Sequence, residues 1–335
     1  MRQLIPPFDA HAVLVAPWTE NVSLFGWIAA MGFCVASACG LVGNYLMLRR
    51  MALMGDAVSH SILPGLVVAF LVSGSRGTVP MFIGALSAGA ITTVLIETIH
   101  KRTRVKQDAA IGIAFSTLFA IGVILTVTYA GQVDLDAECV LYGEIAFVPL
   151  EPMVRLGSLV LGPEPFFRMA SVLLGVAVLV AAFYKELLVS SFDPGLAKSL
   201  GINPSIMHYG LMAALSVVVV SAFESVGAIL VIAMLILPGA TASLLTTRLP
   251  LVHGLSLVHA ALSSWLGIAL GVWLDCSLAA AMVVAGAGLF ALAWIFSPRE
   301  GLIARWRSHH EKLTPHSSQG IVSRDEVERS SLRST

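Results

Sequence analysis

The chain has 335 residues, of which 57% are hydrophobic and only 12% charged, and its formal net charge is zero. Its mean hydropathy is +0.87, whereas a soluble domain is about a quarter charged. This excludes an ordinary soluble domain; with no dense basic patch, nucleic acid is not an expected partner, and membrane lipid is.

A spanning helix needs about 20 apolar residues to cross a hydrocarbon core ~30 Å thick. Residues 1–22 read as an external N-terminal segment and lack the basic stretch and short apolar run of a cleaved leader. The predicted spans follow at 23–48, 52–73, 80–99, 109–130, 169–189, 206–222, 226–246, 252–271 and 277–297. The fold class is an all-α integral membrane protein, a polytopic bundle of about nine transmembrane helices, with eight as the alternative count. Residues 23–297 form the transmembrane domain. Residues 298–335 are a polar cytoplasmic tail, expected to be disordered, and its His309, His310 and His316 have no fixed spacing. Gly84, Ser87, Ala88 and Gly89 show the small-residue composition that lets helices pack closely in lipid.

Lys and Arg in short loops set the orientation. Arg49 and Arg50 follow the first span, and Lys101, Arg102, Arg104 and Lys106 follow the third, so these loops are assigned to the cytoplasm. The segment 131–168 carries Asp134, Asp136, Glu138, Glu144, Glu151 and Glu164 and is assigned to the outside, with 140–150 along the outer surface. Its carboxylates suit cations or a delivery protein, or are a solvated face. The N-terminus is then outside and the C-terminus cytoplasmic. Asp108 is expected to cap the fourth span, at the positive end of its dipole. Cys34, Cys39, Cys139 and Cys276 form no CxxC or zinc-finger spacing and read as small hydrophobes.

Ionisable groups inside a span mark function by default. Asp56 and His60 stand four apart in Met54-Gly55-Asp56-Ala57-Val58-Ser59-His60-Ser61, hence on one helix face. Counted from Arg50 at ~1.5 Å per residue, His60 lies ~15 Å deep. Pro64 cannot donate to the His60 carbonyl and is expected to bend the helix there. A carboxylate and an imidazole suit manganese, iron or zinc, and a two-fold dimer would supply both twice. The competing reading is a hydrogen-bonded packing pair aided by Ser59 and Ser61. Glu224, between the sixth and seventh spans, is a turn residue or a pore or gate residue. Glu97 and His100 end the third span beside the basic loop, where snorkelling and charge pairing explain them.

Two cytoplasmic stretches read as docking elements or ordinary connectors. In 191–202, Asp193 precedes Pro194 at the first helical position of a short amphipathic helix that ends on Gly201. In 237–248, small and hydroxyl residues close the seventh span. No GxxxxGK[ST], HExxH or GxSxG occurs, so any ATP hydrolysis must come from a separate chain.

The ordered segments Met54 to Ser61, Lys106 to Ile113, Phe192-Asp193-Pro194 through Ala197 to Leu200-Gly201-Ile202, and Ala233 to Ala242 resemble the manganese/zinc/iron permeases of ABC importers. The likeness covers 23–297, and the run Asp134 to Glu144 is similar to the manganese branch. The resemblance implies kinship with the cobalamin and siderophore permeases. It also implies a non-enzymatic transport subunit in the bacterial plasma membrane, working with cytoplasmic ATPase subunits, an external solute-binding protein and a second permease chain, identical or paralogous. No permanent cofactor is implied; the transported metal is manganese, zinc or iron. In the family pattern Asp56 and His60 meet the metal, and Pro238, Gly239, Ala240, Thr241, Ala242 and Arg248 belong to the ATPase-coupling end. The rival function is a secondary transporter or channel driven by protons or the membrane potential.

Overall fold

The computed structural model describes residues 6–75, 77–129, 144–156, 159–297 and 301. Two short helical turns, His11–Val15 and Ala16–Thr19, precede the first long helix, α1 (Val22–Leu48). An apolar helix with many small residues can be surrounded by others, and α1 occupies that position. From Met31 to Leu46 every residue except Phe33 is buried.

Helices α2 (Met54–Ser73), α3 (Thr78–Arg102) and α4 (Gln107–Tyr129) follow. Glycines fix how near α2 and α3 come: a Cβ on Gly65 would meet the Gly84 carbonyl, and one on Gly84 the Gly65 carbonyl. Gly122 of α4 likewise lies against Pro64, where a Cβ would come within 2.8 Å of its Cδ. Helix α4 starts two residues earlier than expected. The Lys106 carbonyl accepts from Ala110 N at 3.0 Å, so Asp108 lies within the first turn and is not the cap, while still facing the favourable end of the dipole.

Past α4, a 3₁₀ turn (Ile145–Leu150) places Ile145 and Val148 in the core. An antiparallel hairpin that the sequence pattern does not announce comes next, β1 (Met153–Leu156) with β2 (Leu159–Pro163). Gly162, at φ 149°, lies under the Trp27 ring, where any side chain would collide. The expected fifth span begins earlier and is divided. Helix α5 (Glu164–Ala182) stops at Phe183, whose backbone is not helical, and α6 (Tyr184–Phe192) follows with Leu187 and Ser190 buried. The adjacent charges of Lys185 and Glu186 explain the break, since a charged pair is poorly placed in a continuing apolar span. Helix α7 (Pro194–Ser199) starts as expected: Asp193 Oδ1 accepts from Gly195 N at 2.9 Å and Leu196 N at 3.0 Å.

The longest element, α8 (Pro204–Leu245), contains a break at Gly227, whose φ 75° and ψ 167° are accessible only to glycine. Contacts at both ends show that the chain reverses there. His208 Nδ1 lies 3.4 Å from Arg49 Nη1, and Gly239 packs on Asn44, where a Cβ would come within 2.5 Å of Oδ1. Arg49 and Asn44 are neighbours at one end of α1, whereas a straight helix would separate residues 208 and 239 by roughly 47 Å. The outgoing limb Pro204–Phe223 is long enough to span, while the returning limb Leu230–Leu245 is shorter. That limb is sheltered by protein, with Leu230, Val231, Met234 and Leu235 buried, so it needs no full hydrocarbon crossing. Helices α9 (Leu249–Leu274) and α10 (Leu278–Phe296) complete the bundle. Eight described helices are long and apolar enough to cross a membrane, and the returning limb, a shorter apolar helix, corresponds to the seventh expected span, 226–246.

Two substitutions test this packing. Gly43→Ala puts a Cβ into the Leu235 backbone carbonyl and is expected to destabilise the bundle by about 1–3 kcal/mol. Gly175→Ala meets open space and is expected to be neutral or stabilising by up to ~1 kcal/mol. Thermal unfolding of the detergent-purified chain compares them. By the same measurement Gly227→Ala is expected to cost about 1–3 kcal/mol through backbone strain alone.

Candidate metal site and coupling surface

Asp56 and His60 project from the first two turns of α2, one helical turn apart. His60 Nε2 lies 3.3 Å from Asp56 Oδ1, and their side chains remain 30% and 38% exposed, respectively. The imidazole is flanked by Phe115 and Phe119 of α4, each with its ring centroid 6.0 Å away. The imidazole therefore lies beside α4 with an aromatic wall on one side, and the pair is left partly exposed. Because Met51 to Leu53 form a turn, α2 starts at Met54. This puts His60 about 9 Å from the start of the helix, closer to that end than the count from Arg50 gives.

The serines beside the pair do not support it. Ser59 Oγ donates to the Gly55 carbonyl at 2.9 Å and Ser61 Oγ to the Ala57 carbonyl at 2.6 Å. Their hydrogen bonding is thus internal to α2, leaving Asp56 and His60 with each other. Helix α2 stays continuous through Pro64, which is buried against Gly122 of α4. Among the described residues no group of three or more His, Cys, Asp or Glu side chains is positioned to hold a metal ion. One chain offers two groups of borderline hardness on an open face, fewer than a transition-metal ion needs.

Glu224 belongs to the outgoing limb of α8, three residues before the reversal at Gly227; its side chain lies outside the described residues. Asp134, Asp136, Glu138 and Cys139 also fall outside them, as do His309, His310 and His316. Glu144 directly precedes the 3₁₀ turn. Cys34 and Cys39 are buried and Cys276 exposed, all as free thiols. Glu97 is paired with Lys101, as its position implies, and also approaches His208 Nε2 at 3.2 Å.

The residues of the second docking stretch divide by exposure. Pro238, Gly239, Thr241 and Ala242 are buried and Ala240 is half-buried, whereas Ser243, Leu245, Thr247 and Arg248 are exposed at the turn into α9. The buried part touches α1 closely: Pro238 lies against Gly40, and Gly239 against Asn44 and Met47. Asn44 forms a polar knot that sequence reasoning missed. Its Nδ2 is 2.9 Å from His253 Nδ1 and 3.2 Å from Ser256 Oγ on α9. The available signal was three polar residues inside apolar spans, which in lipid must find partners. One residue of the limb reaches further. Leu235 seats its carbonyl over Gly43 of α1 and its side chain against Gly55, the neighbour of Asp56. In the first docking stretch nearly every side chain from Phe192 to Leu200 is exposed, Ala197 being the exception.

A polytopic bundle with an intramembrane carboxylate–imidazole pair and an exposed helical turn at one end has the layout of a transport permease. The chain belongs to the ABC 3 transport family, whose sequence model matches residues 22–297. It is 45% identical to the manganese transport system membrane protein MntD of Bacillus subtilis, over 85% of this chain and 96% of that protein. It is 43% identical to the zinc transport system membrane protein TroD of Treponema pallidum, over 83% of this chain and 75% of that one. The structure of PsaBC from Streptococcus pneumoniae in complex with Fab superposes with a TM-score of 0.71 at 31% identity, covering 89% of this chain and 100% of that chain. An inward-facing metal-chelate type ABC transporter shares the fold, with a TM-score of 0.59 at 17% identity over 80% and 84% of the two chains. The chain is a multi-span membrane permease subunit of the ABC class, not an enzyme.

Asn44→Ala leaves His253 without its partner and is expected to cost about 1–3 kcal/mol. Urea or thermal unfolding of the purified chain measures it, and a change under ~0.5 kcal/mol would show that the knot is not structural.

Proposed function

We propose that this chain is the membrane-spanning permease subunit of an ATP-driven importer for a divalent transition metal, manganese first, with zinc or iron next. The observation that carries the reading is the half-exposed Asp56–His60 pair on the α2/α4 face. The names of the manganese and zinc transport relatives support the substrate class. A second permease chain, identical or paralogous, brings a second pair across a two-fold axis. Four ligands from two chains then replace part of the ion's hydration shell, without which a divalent cation in hydrocarbon would be far too unstable. The ion is cargo; it leaves when the two halves separate.

The energy comes from cytoplasmic ABC ATPase subunits, and the ion from an external solute-binding protein. The Lys and Arg of the 49–50 and 101–106 loops support a cytoplasmic placement for that end, leaving the N-terminus outside and the C-terminus inside. Ser243, Leu245, Thr247 and Arg248 form the exposed edge that meets the ATPase, while Pro238 to Ala242 transmit its motion to α1. The contacts of Leu235 with Gly43 and Gly55 give that motion a short route to Asp56. Glu224, beside the reversal at Gly227, is assigned to the outer gate.

In cells lacking their own importers, this chain expressed with its ATPase and binding protein is expected to support saturable uptake of radiolabelled manganese. Asp56→Ala/His60→Ala should abolish it at unchanged expression, as should inactivation of the ATPase. Undiminished uptake in the double variant would return the pair to a packing role, and uptake without a working ATPase would favour a secondary transporter.

A further inference from the structure

Where α1 and α3 end and the outgoing limb of α8 begins, a cavity of about 340 Å³ lies apart from the Asp56–His60 groove. Met54 lines it; two residues from Asp56, it points roughly 200° around the helix from that carboxylate. The polar wall is one connected chain of side chains. Arg49 donates through Nε to Ser191 Oγ at 3.0 Å and through Nη2 to Ser190 Oγ at 3.0 Å, while Nη1 lies 3.4 Å from His208 Nδ1. His208 Nε2 in turn stands 3.2 Å from Glu97, whose other oxygen is paired with Lys101.

Charge decides what such a wall can hold. It carries two permanent cations, Arg49 and Lys101, against one carboxylate already engaged by Lys101 and His208. A metal ion would have to displace Lys101 and then sit beside Arg49, so a cation is disfavoured. An anion meets the reverse situation. Arg49 has five N–H donors, three of which are in use, so two remain. Gln107 and Ser205 also line the cavity, from the first turns of α4 and α8; the positive ends of two helix dipoles therefore open on it. Met51, Met54 and Ile96 give it an apolar floor.

We propose that this cavity binds a phosphate ester, and that in the membrane its occupant is the headgroup of an anionic phospholipid. Basic pockets between transmembrane helices at the level of the headgroups take such ligands, and the forked guanidinium of Arg49 matches phosphate geometry. An occupied site would tie α1, α3, α6 and α8 together at the end that carries the coupling turn.

The test uses the purified full-length chain in phosphatidylcholine nanodiscs containing some phosphatidylglycerol. Retained lipid is counted by native mass spectrometry, with inorganic phosphate as a competitor. Phosphatidylglycerol should be held in preference to phosphatidylcholine, and roughly tenfold less tightly by Lys101→Glu, the scale of one lost charge-assisted contact. Lys198→Glu, an equal charge change on exposed α7, should have little effect. Arg49→Gln is the second variant; since it can disturb packing, Lys101, whose side chain is 57% exposed, is the deciding position. Phosphate binding that is sensitive to Lys101→Glu, without lipid selectivity, would support the phosphate chemistry with a soluble ligand as its source. Equal retention of both lipids with no phosphate binding, or equal losses in Lys101→Glu and Lys198→Glu, would overturn the proposal. Transport is not read, so the result stands apart from the metal-permease reading.

Discussion

The returning limb of α8 seated on α1 is the contact on which the rest of the architecture depends. Gly40 and Gly43 remove side chains from α1 where the limb approaches, and Gly239 does the same from the other side. The approach is close enough that a methyl group at Gly43 would overlap the Leu235 carbonyl. In lipid there is no hydrophobic force between helices, so such close dispersion contact and interhelical hydrogen bonds must hold them. The Asn44 knot to His253 and Ser256 supplies the hydrogen bonds at the same place. Because protein covers the limb on several sides, it can be too short to span and can still end at the surface where a soluble partner could reach it.

That arrangement relates two surfaces that look unconnected in the sequence. The exposed turn from Ser243 to Arg248 and the backbone just before Asp56 are linked by one limb and one residue, Leu235, which touches both Gly43 and Gly55. Interlocked packing of this kind moves as a unit and does not deform gradually. A push on the turn would therefore reach α1 and α2 together through Leu235, and in the proposed two-chain assembly this is the motion assigned to opening the site.

Much of this was readable in advance because lipid imposes simple rules on sequence. Spans follow from apolar length, and Asp56 and His60 stood out because ionisable residues are expensive there. The cap at Asp193 and Pro194 follows from local chemistry, and the structure reproduces it. What could not be read depends on distant or singular geometry. The partner of Asn44 is 209 residues away, so no local pattern announces it. The reversal in α8 rests on the backbone of one residue, Gly227, and glycine is too common in these spans to mark it. The division at Phe183 and the hairpin from Met153 to Pro163 lie where apolar and polar signals mix. Among the described residues the groove beside α4 shows two candidate ligands; the proposed assembly would draw the others from another chain.

In the proposed assembly Asp56 and His60 of two chains form one metal site. The most direct measurement is the stoichiometry of manganese bound to the purified, assembled permease pair, by equilibrium dialysis with metal analysis and by the Mn(II) paramagnetic resonance spectrum. The expected result is one tightly bound ion for each pair of permease chains, lost when either Asp56→Asn or His60→Gln is introduced. One ion per chain, or binding unchanged in both variants, would contradict it.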